Sequence, residues 1–307
     1  MKKKVLVTGG SGFVGANLTR RLLAYGYEVH AIVRKGGNIW RLKGISNKIN
    51  VYPGALDNLQ KLERLIKKVN PRLIFHLSTY GSYPKQQNIQ AMIDTNLTCT
   101  LDLLMASKEI NYDRLIITGS SSEYGKKRRP MKESDIPEPN NFYAVTKVAE
   151  THLAQVFAKT YQKPVTILRL FNVYGPFEEE GRLVRSVIES ALSLRPILLG
   201  SGEEARDLIY IEDVVDALLA AAKRKNIGPG EVFNIGTGVQ TTILELAKQV
   251  VGLTKSSSKI KLNAYPGRPW DTKHWAADMI KTKNQLRFKA RHNLLSGLTK
   301  TIEWYKK

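Results

Sequence analysis

The segment that most constrains this chain lies directly after Lys4: Val5-Leu6-Val7-Thr8-Gly9-Gly10-Ser11-Gly12-Phe13-Val14-Gly15. Three β-formers run into glycines at Gly9, Gly12 and Gly15, and apolar residues then recur at helical spacing at Leu18, Leu22 and Leu23. A strand, a glycine turn and a helix N-terminus make an anion site, because backbone N–H groups and the positive end of the helix dipole face a pyrophosphate. Gly9 permits the tight turn, Gly12 lets the pyrophosphate approach the backbone, and Gly15 lets helix and strand pack closely. A glycine triplet alone reads equally well as a plain loop. The strand before it and the helix after it are the context that the dinucleotide motif requires.

Strand-like and helix-like segments alternate through the first 170 residues. The expected strands are Lys4–Thr8, Glu28–Val33, Leu73–His76, Arg114–Thr118 and Val165–Leu170, and the expected helices lie at 12–25, 57–69, 88–109 and 141–160. Continuous apolar runs such as Leu115-Ile116-Ile117 suit strands buried on both faces. This pattern predicts an α/β fold: a Rossmann-type doubly wound parallel sheet with a smaller α/β substrate-binding domain. Beyond residue 170 the rhythm breaks at Pro-Gly punctuation near 175–176, 228–230 and 266–269. The dinucleotide domain is expected over 1–170 plus about 207–238, with late strands at Asp207–Ile211 and Val232–Ile235. The second domain is expected over 171–206 plus about 239–307.

In such folds the end of the second strand meets the adenosine ribose, where an acid selects NAD and a base accommodates the 2′-phosphate of NADP. Here the strand ends Ile32-Val33-Arg34-Lys35, with no carboxylate. Arginine forks onto phosphate through paired hydrogen bonds, so the expected cofactor is NADP(H), with NAD as the alternative. The bland reading of Arg34 and Lys35 is two exposed loop cations. Phe13, Val14, Leu56 and Leu77 are the further expected cofactor contacts.

Tyr143 and Lys147 stand four apart in an expected helix and so share a face. An ammonium beside a phenol favours the phenolate and lets it exchange a proton near neutral pH. The fourth strand ends in Gly119-Ser120-Ser121-Ser122-Glu123-Tyr124-Gly125, and a hydroxyl at a strand's C-terminal edge is placed to bond a substrate oxygen. Alone, a serine cluster is turn and capping chemistry.

Together these residues resemble the extended short-chain dehydrogenase/reductase family. The resemblance runs through Leu168-Arg169-Leu170-Phe171-Asn172-Val173-Tyr174-Gly175-Pro176, Arg206-Asp207-Leu208-Ile209-Tyr210-Ile211-Glu212-Asp213 and Phe233-Asn234-Ile235-Gly236. It continues into Arg268-Pro269-Trp270-Asp271 and the closing Thr301-Ile302-Glu303-Trp304-Tyr305, and so covers nearly the whole chain in order. It implies a nucleotide-diphosphate sugar as substrate and hydride transfer at a sugar carbon, usually C4. It also implies Ser120, Tyr143 and Lys147 as catalytic residues. Ser78, Ser121, Ser122, Asn172, Arg182, Arg206, Arg268 and Asp271 are the implied substrate contacts, an arginine pair suiting a diphosphate and Asp271 a ribose hydroxyl. For Arg206-Asp207 the alternative is a local salt bridge of little value. For Arg182 it is surface pairing with Glu178-Glu179-Glu180, and for Trp270 packing rather than base stacking.

Members differ in the step that comes after oxidation at C4. Dehydratases carry an acid two positions before the tyrosine of their Tyr-Gly; here that position is Ser122, and Glu123 adjoins Tyr124, where a one-residue loop shift would restore the carboxylate. Pro130-Met131-Lys132-Glu133-Ser134 and His76-Leu77-Ser78-Thr79-Tyr80-Gly81 are similar to reductases of the family. The expected reaction is therefore NADPH reduction of an NDP-4-keto-6-deoxyhexose. The alternatives are an NDP-sugar 4-epimerase, a 4,6-dehydratase, and a non-enzymatic NADP-binding protein that holds RNA or a partner.

The 307 residues carry 48 Lys+Arg against 27 Asp+Glu, a net charge of +21. The basic residues are scattered apart from Lys126-Lys127-Arg128-Arg129, and no aromatic interleaving marks a nucleic-acid surface. Neither nucleic acid nor membrane is expected as a partner; the charge reads as a solvated surface around anion sites. The apolar stretch after Lys4 is too short for a signal peptide, and Cys99 is the single cysteine, so a reducing, cytoplasmic setting is expected and no metal. The resemblance implies a homodimer through the helices at 88–109 and 141–160.

Overall fold

β1 (Lys4–Thr8) buries Val5, Leu6 and Val7 completely, as a strand covered on both faces requires. The computed structural model describes residues 3–83, 85–267 and 271–307. The chain divides into two compact units. The first comprises residues 1–123, 139–169 and 215–233; the second comprises 124–138, 170–214 and 234–307.

The first unit is built on a seven-stranded sheet. Its strands are β1, β2 (Glu28–Val33), β3 (Asn50–Pro53), β4 (Leu73–His76), β5 (Arg114–Ser120), β6 (Val165–Leu170) and β10 (Glu231–Ile235), in the order β10-β6-β5-β4-β1-β2-β3. β1 pairs in parallel with β2 and β4, and β2–β3 and β4–β5 are parallel too. The flanking helices are α1 (Phe13–Ala24), α2 (Leu59–Val69), α3 (Ile89–Ile93), α4 (Cys99–Ser107) and α5 (Phe142–Thr160). One core face joins Leu62, Ile66, Leu103, Leu104, Ala154 and Phe157 of the helices to Leu6, Ile74, Leu115 and Ile167 of the sheet. A smaller cluster seats Ala16 of α1 on Val33 and Leu42.

The second unit holds β7 (Asn172–Tyr174), β8 (Ile197–Leu198), β9 (Ala205–Tyr210), β11 (Gln240–Thr242) and β12 (Ile260–Lys261). β9 lies between β11, antiparallel, and β7, parallel, and β8 pairs with β12. Its helices are α6 (Leu183–Leu192), α8 (Ile243–Thr254) and α9 (Leu294–Tyr305), while α7 (Ile211–Lys223) follows β9 directly. A capping box starts α8, with Thr242 and Glu245 each bonding the other's backbone N–H.

Two expectations change and one strand is added. The strand expected at Asp207–Ile211 belongs to the three-stranded sheet of the second unit, so residues 207–214 join that unit, as do 124–138. The helix expected over 88–109 is α3 and α4 joined by a π-turn at Asp94–Thr98. β3 had no sequence signal: it is a short edge strand with a proline and partly exposed side chains. No helix among the described residues is long and apolar enough to cross a membrane.

Candidate active site

The β1–α1 turn is shaped by backbone approach. Gly9 sits at φ +66°, and a Cβ there would meet the Leu77 carbonyl and the Ser78 nitrogen at 2.8 Å. A Cβ on Gly15 would collide with the Gly9 carbonyl oxygen. At Gly12, the N-cap of α1, a Cβ would meet only that same oxygen, at 3.1 Å. Among the described residues no side chain caps α1, and no acid stands in its first turn to offset the helix dipole. This bare, Cβ-free helix start fits a pyrophosphate. Phe13 is buried and Val14 half-buried at the start of α1, and Leu56 packs against the core. Leu77 is buried and Ser78 half-buried beside Gly9, while Arg34 and Lys35 are exposed after β2.

Tyr143 and Lys147 fall on the first two turns of α5, which Asn141 caps by accepting the Ala144 N–H at 2.9 Å. Tyr143 is half-buried; Lys147 is fully buried, its Nζ donating to the Thr118 carbonyl at 2.6 Å and to Glu150. Burial alone would lower the Lys147 pKa, but the charges of Glu150 and Tyr143 outweigh it and hold it above the ordinary lysine value. Glu150 is itself raised, chiefly by burial.

Ser120 ends β5, with its hydroxyl 2.6 Å from that of Ser122; both are half-buried, and Ser121 is buried. Glu123 is turned inward. Its carboxylate, with no exposure, accepts the Ser120 N–H at 2.7 Å, the Thr151 hydroxyl at 2.9 Å and the Arg169 guanidinium at 2.8 Å. The loop shift that would make Glu123 an acid–base group is therefore corrected: its lone pairs are committed to the core, and a hydroxyl occupies the position two before Tyr124.

In the second unit, Arg206 forms no local salt bridge with Asp207. It pairs with Asp271 at 3.1 Å, whereas Asp207 accepts the N–H groups of Thr237, Gly238 and Ala277. Arg182 lies 3.8 Å from the buried carboxylate of Glu178. Asn172, on β7, has a buried Oδ1 without a hydrogen-bond partner among the described residues. Arg268 and Trp270 lie outside the described residues. A cavity of about 540 Å³ in this unit is lined by Ser201, Glu204, Asn263, Tyr265 and Asp271 among others.

Sequence reasoning missed the buried groups beneath α5. Thr8 Oγ1 lies 2.7 Å from His76 Nδ1, whose Nε2 lies 2.8 Å from Thr100 Oγ1, and Thr100 bonds Glu150 at 3.3 Å. His76 is fully buried and held down to about 3 by burial and by the Lys147 charge, so it is neutral. Asn96, in the π-turn, bonds the Tyr80 N–H and carbonyl and the Thr146 hydroxyl, each at 2.9 Å. The one available signal was polar residue types at positions that helix and strand periodicity makes internal.

The NAD dependent epimerase/dehydratase family model matches residues 5–236. The UDP-N-acetyl-alpha-D-glucosaminuronate decarboxylase of Bacillus cytotoxicus is 29% identical, over 100% of this chain and 98% of its own. A UDP-glucuronate 4-epimerase of Thermodesulfobacterium geofontis is 27% identical, over 98% and 95%. The UDP-glucose 4-epimerase of Thermotoga maritima, solved with UDP-glucose, superposes with a TM-score of 0.90 at 29% identity, covering 99% of this chain and 98% of that one. The UDP-glucuronic acid 4-epimerase of Bacillus cereus, solved with UDP-glucuronic acid and NAD, gives 0.88 at 28%, covering 99% of each. A glycine turn whose geometry fits a pyrophosphate, a Tyr–Lys pair on one helix and a family match across most of the chain converge: the protein is an enzyme of the NAD-dependent epimerase/dehydratase family, of the extended short-chain dehydrogenase/reductase type.

Proposed function

We propose that this enzyme carries out redox chemistry at C4 of a nucleoside-diphosphate hexose without elimination, and that its reaction is a 4-epimerisation. The observation that carries this reading is the inward carboxylate of Glu123, paired with Arg169, with a hydroxyl rather than a carboxylate at Ser122. Elimination of water asks for an added acid–base carboxylate at that loop, and oxidation followed by reduction does not. The comparisons support the substrate class: similar proteins were solved with UDP-glucose and with UDP-glucuronic acid plus NAD.

In this reading the β1–α1 turn holds the dinucleotide pyrophosphate through Gly9, Gly12 and Gly15, flanked by Phe13, Val14, Leu56 and Leu77. A bound nicotinamide supplies the two-electron acceptance and return that C4 requires. Tyr143 takes the proton of the C4 hydroxyl as the sugar is oxidised and gives it back on the other stroke. Lys147, four residues along the same helix and electrostatically coupled to Tyr143, supplies a positive charge beside that proton exchange. Ser120 hydrogen-bonds the C4 oxygen, and Ser78, Ser121 and Ser122 line the sugar. Asn172, Arg182, Arg206, Arg268 and Asp271 hold the nucleotide and diphosphate.

Exposed Arg34 and Lys35 after β2, where no carboxylate stands, favour a second reading: NADP(H) as cofactor and reduction of an NDP-4-keto-6-deoxyhexose. Incubation with UDP-glucose or UDP-glucuronic acid without added nucleotide separates the two. Formation of the 4-epimer supports the first reading. Turnover of a 4-keto sugar nucleotide only with added NADPH supports the second, and a dehydrated or decarboxylated product overturns both. Tyr143→Phe loses most turnover in either case while still binding the nucleotide.

A further inference from the structure

The Lys147 ammonium lies where water cannot stabilise it. Its side chain and that of Glu150 are each 1% exposed. Burial by itself drives an ammonium toward its neutral, unprotonated form. Among the described residues two groups receive its N–H bonds: the neutral Thr118 carbonyl from β5 and the Glu150 carboxylate one helical turn along α5. The other charged and titratable groups around it are accounted for. Tyr143 shares its helix, Glu123 after β5 is bound to Arg169, and His76 on β4 is neutral.

Glu150 does not reach Lys147 by chance of rotamer. Neutral His76 accepts at Nδ1 from the Thr8 hydroxyl and donates from Nε2 to Thr100 Oγ1, whose own proton faces both the Asn96 carbonyl at 2.9 Å and Glu150 Oε1 at 3.3 Å. This tautomer is set by the bonding pattern, since Thr8 Oγ1 already accepts the N–H groups of Leu77 and Ser78. A directed set of hydrogen bonds thus runs from the residue before Gly9 to Thr100, whose hydroxyl stands beside the carboxylate on α5. A buried carboxylate ordered this way is costly unless a cation shares its site.

We propose that Glu150 is a positioning residue for the reaction: its carboxylate, buried beside Thr100 and His76, keeps the buried Lys147 charged and aimed on the Tyr143 face of α5. The proposal rests on the roles given above to Tyr143 and Lys147. Without Glu150 the ammonium keeps one neutral carbonyl in direct contact, and its proton leaves at lower pH. A residue that merely fills space would lower turnover evenly across pH instead.

Carbon-13-labelled lysine read by NMR tests this in the full-length protein, the Lys147 Cε signal being identified by its loss in Lys147→Arg. The wild-type signal stays in its ammonium position while surface lysines titrate. In Glu150→Gln it titrates roughly 1–3 pH units lower, and the alkaline limb of kcat/KM moves down with it. Glu150→Asp keeps the charge but withdraws it by one methylene; it gives a smaller shift in the same direction and carries the test if the Gln variant does not fold. A Lys147 signal that titrates in the folded variants as it does in wild type overturns the proposal. A moved signal with an unmoved alkaline limb overturns Glu150's part in the reaction and leaves it a stabiliser of a buried cation. A Tyr143→Phe enzyme that keeps its turnover overturns the reading of the site itself, while the lysine titration still reports on the Lys147–Glu150 pair.

Discussion

Gly12 and Gly15 are both glycines of one motif, yet different neighbours hold them to that identity. A Cβ on Gly15 collides with backbone, which does not yield; a Cβ on Gly12 meets one oxygen at 3.1 Å and otherwise faces the open end of α1. Gly15→Ala is therefore expected to cost about 1–3 kcal/mol of stability, read as a lower urea midpoint. Gly12→Ala should leave the midpoint nearly unchanged and weaken nucleotide binding at least tenfold by calorimetry; a normal dissociation constant would remove the pyrophosphate from this turn. Glu178 gives a prediction in pH. Burial, only partly offset by Arg182 and Arg185, pushes its carboxyl up to about 8 from an ordinary 4.5. The folded state then holds a proton that the unfolded state releases, so this group's contribution falls as pH rises from about 4.5 to about 8. Glu178→Gln removes that dependence, and its stability advantage over wild type should grow across that window in urea titrations at successive pH values. At this scale the sequence showed Tyr143, Lys147 and Ser120 through spacing and strand ends. It did not show that Glu123 faces inward, because which way a loop carboxylate turns depends on Arg169, 46 residues away.

The elements nearest the site match the periodicity of the chain closely, since strands buried on both faces and an amphipathic α2 leave strong local patterns. The features that escaped were produced by single contacts. The π-turn between α3 and α4 sets Asn96, with no exposure, against Tyr80 and Thr146. One extra residue per turn re-aims a side chain without changing composition, so no apolar pattern records it. Asn96→Ala should leave the Tyr80 backbone N–H and carbonyl without their partner, at about 1–3 kcal/mol for each group that stays buried, while the Thr146 hydroxyl keeps its bond to the Tyr143 carbonyl. Hydrogen exchange should speed up over residues 79–81 and at the π-turn, with the distant strands β1 and β2 unchanged; uniform acceleration would mean that Asn96 supports the unit generally and not this junction. β9 escaped for the opposite reason. Its Leu208-Ile209-Tyr210 run reads as a strand, but a strand's pattern states that it is buried, not which sheet it joins.

For the whole molecule, the charge of +21 and the exposed apolar side chains make opposite demands on self-association. Like charge disperses copies of the chain, and screening by salt weakens that effect over about 8–10 Å. Against it stand Ile89 and Ile93 on α3, Leu101 and Met105 on α4, and Phe142, Val145 and Val156 on α5, all exposed. They recur at spacings of three, four and eleven, which return to one side of a helix, and α3 and α4 both pack on α5. Apolar residues clustered this way on a monomer mark an association surface, and a second copy offering the same helices would cover it with twofold symmetry. Sedimentation velocity is expected to show a dimer that tightens as salt is raised. Leu101→Glu with Val156→Glu should yield monomers that retain the wild-type urea midpoint and bound nucleotide, because neither side chain is buried within its own chain. A wild-type monomer at all salt concentrations would instead assign these helices to solvent, and the charge alone would then govern how the molecules meet.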